Sequence, residues 1–224
     1  MSPMPNAWKL LKNMKSGDTC IVIGNGPSLS DVPISFLNKY DSFAANRLFP
    51  EYLPGFKHKW YVAVNPLVIE QNLEQINKLD ASAKFIAQAF VNQVPGSFPL
   101  CSYALRRFSA EPWHGVYEGY TVTFVSLQLA FALGYKTVLL VGVDHRYKYE
   151  GQPNEEHVLE GDDPNHFHPD YFKGMRWHNP DLRQSEGAYM MAMHYFNNEN
   201  RSVVNLGPDS DLDIFPRGVI KQWA

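Results

Sequence analysis

Short apolar runs alternate with amphipathic stretches along the chain, the rhythm of an α/β sheet in which strands and helices take turns. Residues 18–23 predict a first strand whose apolar end runs straight into Gly24-Asn25-Gly26-Pro27-Ser28-Leu29. A short helix over 31–40 follows, with Val32, Ile34, Phe36 and Leu37 on its packed side. Residues 42–45 and 59–64 predict the second and third strands, ending at Asn46 and Asn65. Pro66 then opens a helix to residue 79, at a position where the missing proline N–H costs nothing. Residues 83–88 and 103–108 predict two more strands. Residues 121–133 are apolar nearly all round, which predicts a buried helix closed by Gly134. The β-branched run over 137–143 reads as a strand buried on both faces of a parallel sheet, and it ends in Gly142-Val143-Asp144.

The periodicity breaks at His145. Residues 145–179 are rich in His, Asp, Glu, Tyr, Pro and Gly, and a stretch of that length without regular elements predicts a functional lid. Regular patterning returns in a helix over 180–197, with Leu182, Tyr189, Met193 and Phe196 inward, then a strand over 201–206 and a loop over 208–216. The elements together predict a single Rossmann-like α/β domain over residues 1–224, with a mostly parallel sheet and the lid as an insertion. In such sheets the ligand sits beyond the carboxyl ends of the strands.

Composition narrows the function classes. At 224 residues and 45% apolar, the chain is long enough for one substantial core. A net charge of −3 argues against a general nucleic-acid binder, which needs a basic excess to neutralise phosphates. No apolar run approaches the roughly 20 residues of a membrane span. Residues 1–15 interleave Trp8, Leu10, Leu11 and Met14 with Lys and Asn. That predicts an amphipathic helix packed on the domain, with docking to a membrane surface as the alternative. Cys20 and Cys101 supply neither a metal quartet nor a disulfide framework, so the cytoplasm is the expected compartment, with a membrane-peripheral placement as its variant. The composition is compatible with a homo-oligomer.

Candidate chemistry starts at the first turn. A buried strand entering Gly24-Asn25-Gly26-Pro27-Ser28 can deliver backbone N–H groups to a phosphate, although glycines there also serve backbone geometry alone. Leu29 stands where a dinucleotide fingerprint has its third glycine, and Asn46 where an acid would hold a ribose diol, so NAD is disfavoured. The lysine of a Walker P-loop is absent. Asn25, Asn46 and Asn65 lie at three strand ends that converge on one sheet edge. Each offers both donors and an acceptor without charge, a set that binds phosphate, ribose or a base edge without a metal; the competing reading is a turn at Asn46 and a helix cap at Asn65. Five of the eight histidines fall in the lid: His145, His157, His166, His168 and His178. His166-x-His168 with nearby carboxylates is a weak metal pattern, because loop residues two apart have no enforced geometry, and no metal site is assigned. His178, just before the helix start, is the candidate general base, with His168 as a further catalytic candidate. Tyr147 and Tyr171, with Arg146, are candidates for steadying a leaving phosphate.

The ordered set of motifs carries a resemblance. Gly24-Asn25-Gly26-Pro27-Ser28-Leu29, Ala45-Asn46-Arg47-Leu48-Phe49, Val64-Asn65-Pro66, Ala132-Leu133-Gly134-Tyr135-Lys136 with Val141-Gly142-Val143-Asp144, and Asn205-Leu206-Gly207-Pro208-Asp209-Ser210 resemble, in order and spacing, the bacterial sialyltransferases of glycosyltransferase family 42. A related group, the MptE-like 6-hydroxymethylpterin diphosphokinases, shares the first turn and the Gly-Val-Asp strand end, and the His166-Phe167-His168-Pro169-Asp170-Tyr171 run is more similar to that group. The sialyltransferase resemblance implies that Asn25, Asn46 and Asn65 bind a CMP-activated sugar donor. It further implies that His178 deprotonates the hydroxyl of a glycan or small-molecule acceptor, and that lid tyrosines steady the departing phosphate, with no cofactor required. The family's Thr-Ser-Gly at the buried helix start is Thr121-Val122-Thr123 here, which implies Thr121 or Thr123 as nucleotide contacts, and Arg146 stands near an expected tyrosine. The diphosphokinase alternative implies Mg²⁺ and ATP, with Asp144 and lid carboxylates as metal ligands. A nucleotide-binding module without catalysis is the non-enzyme alternative.

Overall fold

A computed structural model of the chain describes residues 4–224. Helix α1 (Asn6–Asn13) buries Trp8 and Leu11, and Trp8 packs on Phe85 with ring centroids 5.7 Å apart. The expected N-terminal helix is thus docked on the domain, with residues 1–3 outside the described residues. Strand β1 (Thr19–Ile23), the short helix α2 (Ile34–Leu37), β2 (Asp41–Ala45) and β3 (His58–Ala63) follow. Next come α3 (Pro66–Gln71), α4 (Leu73–Lys78), β4 (Ala81–Ala87), β5 (Phe98–Leu100) and the two-residue β6 (Ser102–Tyr103) and β7 (Val116–Tyr117). Helix α5 (Val122–Leu133), β8 (Thr137–Val141), β9 (Glu156–Val158), β10 (Arg176–His178), α6 (Leu182–Asn198) and β11 (Ser202–Asn205) complete the chain.

One sheet runs β11-β8-β1-β2-β3-β4-β5, with every neighbouring pair parallel. Its inner strands are buried on both faces, as their unbroken apolar runs require. In β1, Cys20 and Val22 join the core beneath α5 and α6, while Ile21 and Ile23 point to the opposite face with Leu29, Phe36 and Leu37. Val138 and Leu140 of β8 take the first face, Leu139 and Val141 the second. Helix α5 is buried along its whole length except at Val122, which accounts for its lack of a polar side.

Four sequence expectations are corrected. The fifth strand lies at β5, not at 103–108, where only Tyr103 is extended, in β6. Pro99 is tolerated because β5 pairs only with β4, at the sheet edge. The helix expected over 31–40 shrinks to a 3₁₀ turn over Pro27–Asp31 and the four residues of α2, with Pro33 between them. The helix expected over 66–79 breaks at Asn72, whose Nδ2 donates to Val68 O at 2.7 Å while its Oδ1 accepts from Arg47 Nε at 3.0 Å. The lid has regular structure: β9 and β10 form an antiparallel hairpin, and Tyr171, Phe172 and Trp177 are buried together as a small core of their own. Among the described residues, no helix is long and apolar enough to cross a membrane.

Candidate functional site

Chain direction across the sheet reverses at β1, with β2 on one side and β8 on the other. At this switch point a cavity of about 550 Å³ opens beyond the strand ends, roofed by the lid. Its wall carries Gly24, Asn25, Asn46, Asn65, Thr121, Thr123 and Asp144 from the expected nucleotide set, and Tyr147 and His178 from the expected catalytic set.

The turn after β1 is built differently from a phosphate cradle. Gly24 N donates to Val141 O and Gly26 N to Gly142 O, both at 2.8 Å. Ser28 N donates to Asp144 Oδ2 at 2.8 Å, and Ser28 Oγ donates to Asp144 Oδ1. Three amides that the sequence offers to an anion, those of Gly24, Gly26 and Ser28, are therefore taken by carbonyls and by a carboxylate from the end of β8. Gly26 is required by that approach, since a β-carbon there would stand 2.6 Å from Asp144 Oδ2. Pro27 and Ser28 shape the turn and lie outside the cavity lining.

The asparagines divide. Asn65 Oδ1 accepts from Leu67 N at 2.9 Å and so caps α3, which realises the cap reading. Asn46 adopts a left-handed backbone, φ 56°, which realises the turn reading, yet its Oδ1 is buried with no partner. Asn25 Nδ2 donates to Ala45 O at 3.4 Å and its Oδ1 is likewise buried and unpartnered. Asn179 is a third such case: its Nδ2 serves Glu150 O and Gln152 O, while Oδ1 is left without a donor. Three orphaned acceptors on one cavity wall are unusual, because a buried carbonyl oxygen without a donor is destabilising by ~1–3 kcal/mol. A ligand's N–H or O–H groups would satisfy them.

Backbone strain gathers in the same place. Asn46, Tyr120, His145 and Asn154 line the cavity with φ between 54° and 65°; among the described residues, Asn200 is the only other non-glycine with positive φ. For tyrosine and histidine this region is sparsely populated, and such outliers cluster at functional sites.

Each of three histidines on the wall faces a carboxylate. His178 ends β10, with Nε2 3.5 Å from Glu156 Oε2 across the hairpin, and both side chains are well exposed (38% and 44%). It is held by strand pairing, and not by the helix start, which falls at Asp181. His145 is buried with Nε2 3.2 Å from Glu186 Oε1. His166 Nδ1 is 2.7 Å from Asp163 Oδ2. Tyr147 is half-buried, and its burial raises the phenol's pKa, so it faces the cavity as a neutral O–H. Thr121 caps α5, with Oγ1 accepting from Thr123 N at 3.3 Å and lying 3.4 Å from Tyr189 OH.

Three expected site residues lie elsewhere. Tyr171 is buried under the lid, where its hydroxyl accepts from Arg47 N at 3.1 Å and burial raises its pKa. His168 packs on Tyr52, with ring centroids 4.8 Å apart, so it does not converge with His166 as a metal pair. Arg146 points away and forks onto Asp211, at 2.9 Å and 2.7 Å. Among the described residues, no three His, Cys, Asp or Glu side chains come together as a metal site. Asp144 has both oxygens engaged by Ser28, and the lid's Asp162 and Asp170 pair with Lys173. Sequence reasoning passed over Arg47, His145, His166 and Tyr189. The histidines were visible as a lid group, but nothing local in the sequence separates one from another.

Comparisons with known proteins fit this geometry at the level of fold. The sialyltransferase CstII from Campylobacter jejuni, in complex with cytidine-5'-monophosphate, superposes with a TM-score of 0.52 at 19% identity, covering 92% of this chain and 85% of that one. The monofunctional α-2,3-sialyltransferase Cst-I from Campylobacter jejuni gives 0.50 at 19% identity, covering 98% and 84%. Sialyltransferase CST-II in complex with a trisaccharide acceptor and CMP gives 0.50, also at 19%, covering 90% and 86%. A search of curated protein sequences finds no match. A family profile described as 6-hydroxymethylpterin diphosphokinase MptE-like matches residues 2–150, which is more than half of the sequence, and the chain therefore belongs to the MptE-like family.

Proposed function

We propose that this protein is a transferase that moves an acidic sugar from a CMP-activated donor to an acceptor hydroxyl, by metal-independent inverting displacement. The observation that carries the reading is the pair of unpartnered acceptors, Asn25 Oδ1 and Asn46 Oδ1, in a cavity poor in positive charge. Among the described residues, the wall has one permanently cationic side chain, Arg176, itself 3.4 Å from Glu156 Oε1, against the carboxylates of Glu118, Asp144 and Asp181. A triphosphate would enter with several uncompensated charges. A CMP ester of an acidic sugar brings two, one on the phosphate and one on the sugar, and its amino and hydroxyl groups supply the donors that the asparagines lack.

The chemistry follows from the residues around the cavity. The acceptor oxygen attacks the anomeric carbon and forms the new C–O bond while His178 takes the hydroxyl proton. Glu156 beside Nε2 orients the ring, which leaves Nδ1 as the base. The bond from the anomeric carbon to phosphate oxygen breaks, its electron pair stays on the phosphate, and CMP departs. Thr121 at the start of α5, Tyr189 of α6 and the neutral Tyr147 hydroxyl line the cavity as donors for the nucleotide.

The family's diphosphokinase description favours a second reading, transfer of pyrophosphate from Mg-ATP to a hydroxymethyl pterin. Calorimetric titration with CMP and with ATP, each with Mg²⁺ and with chelator, separates the two. CMP binding unaffected by chelator is expected; binding of Mg-ATP alone would overturn the sugar-transfer reading. In His178→Ala, turnover should fall by roughly 10²–10⁴-fold with CMP affinity kept within about threefold. Unchanged turnover removes His178 from the mechanism.

A further inference from the structure

Resting on that reading, the phosphate still needs a partner: the Gly24, Gly26 and Ser28 amides are taken, Tyr171 is buried away from the cavity, and Arg176 is paired with Glu156. One side chain on the wall is built for the part. His166 lies in the lid segment pinned directly to the turn, where Phe167 N donates to Asn25 O at 3.0 Å and Ser30 Oγ donates to Phe167 O at 3.2 Å. Its ring is stacked on Tyr171, with centroids 4.3 Å apart and planes 8° from parallel, and the edges of Phe172 and Trp177 close round it. Nδ1 is committed to Asp163 at 2.7 Å, which leaves Nε2 as the nitrogen for a ligand.

Asp163 fixes the orientation of the ring. Its side chain is 1% exposed, it accepts from Asn165 N at 2.9 Å, and among the described residues His166 is the one side chain in ion-pair range of it. A carboxylate removed from water needs donors, and here they are the Asn165 amide on one oxygen and the imidazole Nδ1–H on the other. With Nδ1–H held by Asp163, an anion at Nε2 favours the doubly protonated ring, which meets it with Nε2–H as a charge-assisted donor.

We propose that His166, held by Asp163, binds the 5'-phosphate of the nucleotide and stabilises it as the leaving group. No proton need move: the electron pair released by the breaking C–O bond stays on phosphate oxygen, and the Nε2–H hydrogen bond strengthens as that charge grows. His178 keeps the separate task of removing the acceptor's proton, so the two lid histidines act on opposite sides of the reacting carbon.

The test compares CMP with cytidine, so that the contribution of the phosphate is read as a ratio of affinities within each variant. His166→Phe preserves an aromatic ring to stack on Tyr171 but has no donor. Its CMP-to-cytidine preference should fall by about 10- to 100-fold, with cytidine affinity unchanged. His166→Gln, with a neutral N–H, should keep part of the preference, and Asp163→Asn should lose most of it. Retained cytidine binding certifies that each variant is folded. The proposal is overturned if His166→Phe shows the wild-type preference, if cytidine and CMP weaken equally, or if the wild type itself gains nothing from the phosphate. Should the wild type bind adenosine nucleotides instead, the sugar-transfer reading falls, and AMP against adenosine decides the role of His166 by the same criteria.

Discussion

The two walls of the cavity are made stable in different ways. The strand-end wall is continuous with the sheet: Gly24 and Gly142 meet where β1 and β8 end, and the amides of Gly24, Gly26 and Ser28 are tied to the neighbouring strand or to Asp144. The lid wall is a small unit with its own aromatic core, attached to the sheet at few points, chiefly Phe167 on Asn25, Tyr171 on Arg47 and the Arg47 guanidinium. The strand-end wall therefore carries groups that need only fixed position, the asparagine amides. The lid wall carries the histidines, whose chemistry needs both a held ring and a route for substrate to enter and leave.

The largest effect that should divide the walls is Gly24→Ala. A β-carbon there would collide with the Gly142 carbonyl and carbon, backbone atoms of a central strand end that cannot move independently. Overpacking of that kind should destabilise the whole domain by ~3 kcal/mol. Calorimetric melting should move down by roughly 6–12 °C for a domain of this size. A melting temperature unchanged within 2 °C, measured against the wild type, would mean that the wall is as adaptable as the lid, and the contrast would be lost.

Arg47→Met should act on the other wall. Arg47 is buried, yet among the described residues no carboxylate pairs with it: Nε donates to Asn72 Oδ1 at 3.0 Å, NH2 to Tyr52 OH at 2.6 Å, NH1 to Asp170 O at 3.4 Å, and the guanidinium lies 5.5 Å from the Tyr171 ring. The methionine keeps the apolar stem and the backbone bond to Tyr171, and removes the guanidinium that reaches Asp170 O and lies over the Tyr171 and Phe172 rings of the lid. Lid docking should weaken by about 2 kcal/mol. Hydrogen exchange at the Phe167 amide should then quicken by roughly 30-fold, while the amides of β1 and β8 stay protected. If sheet and lid amides accelerate together, the lid is not a separate unit.

The same division explains what was legible in the sequence. The inner strands and α5 announce themselves because burial on both faces leaves unbroken apolar runs, a local signal. β5 was missed because Phe98-Pro99-Leu100 contains the residue that ordinarily argues against a strand, and only its place at the edge permits it. The break at Asn72 depends on a bond to Arg47, 25 residues earlier. The first turn reads as a phosphate cradle until Asp144 arrives from 116 residues away to occupy it. In the lid, Tyr171, Phe172 and Trp177 form a core only once β9 pairs with β10, and nothing in their spacing marks that pairing. What the sequence conveyed of the site was its inventory, the asparagines and histidines. Which of them are spent on structure is a matter of long-range contacts.

The smallest effect is the most discriminating, because it falls within the strand-end wall. Asn65 and Asn25 stand at equivalent strand ends and share one residue type, but one side-chain oxygen is engaged and the other is not. Asn65→Ala removes the cap of α3 and should destabilise the protein by ~1 kcal/mol. Because that oxygen already has a donor, nucleotide affinity should change by less than about threefold. Asn25→Ala removes an acceptor that has no donor in the free protein, together with the long 3.4 Å bond from Nδ2 to Ala45 O, so the ligand-free melting temperature should hold within about 2 °C, while nucleotide affinity drops by about tenfold. Measuring both quantities in both variants gives opposite patterns if the unpartnered oxygen is there for the ligand. Matching patterns would make Asn25 another turn residue, and the argument for a nucleotide would then rest on Asn46 alone.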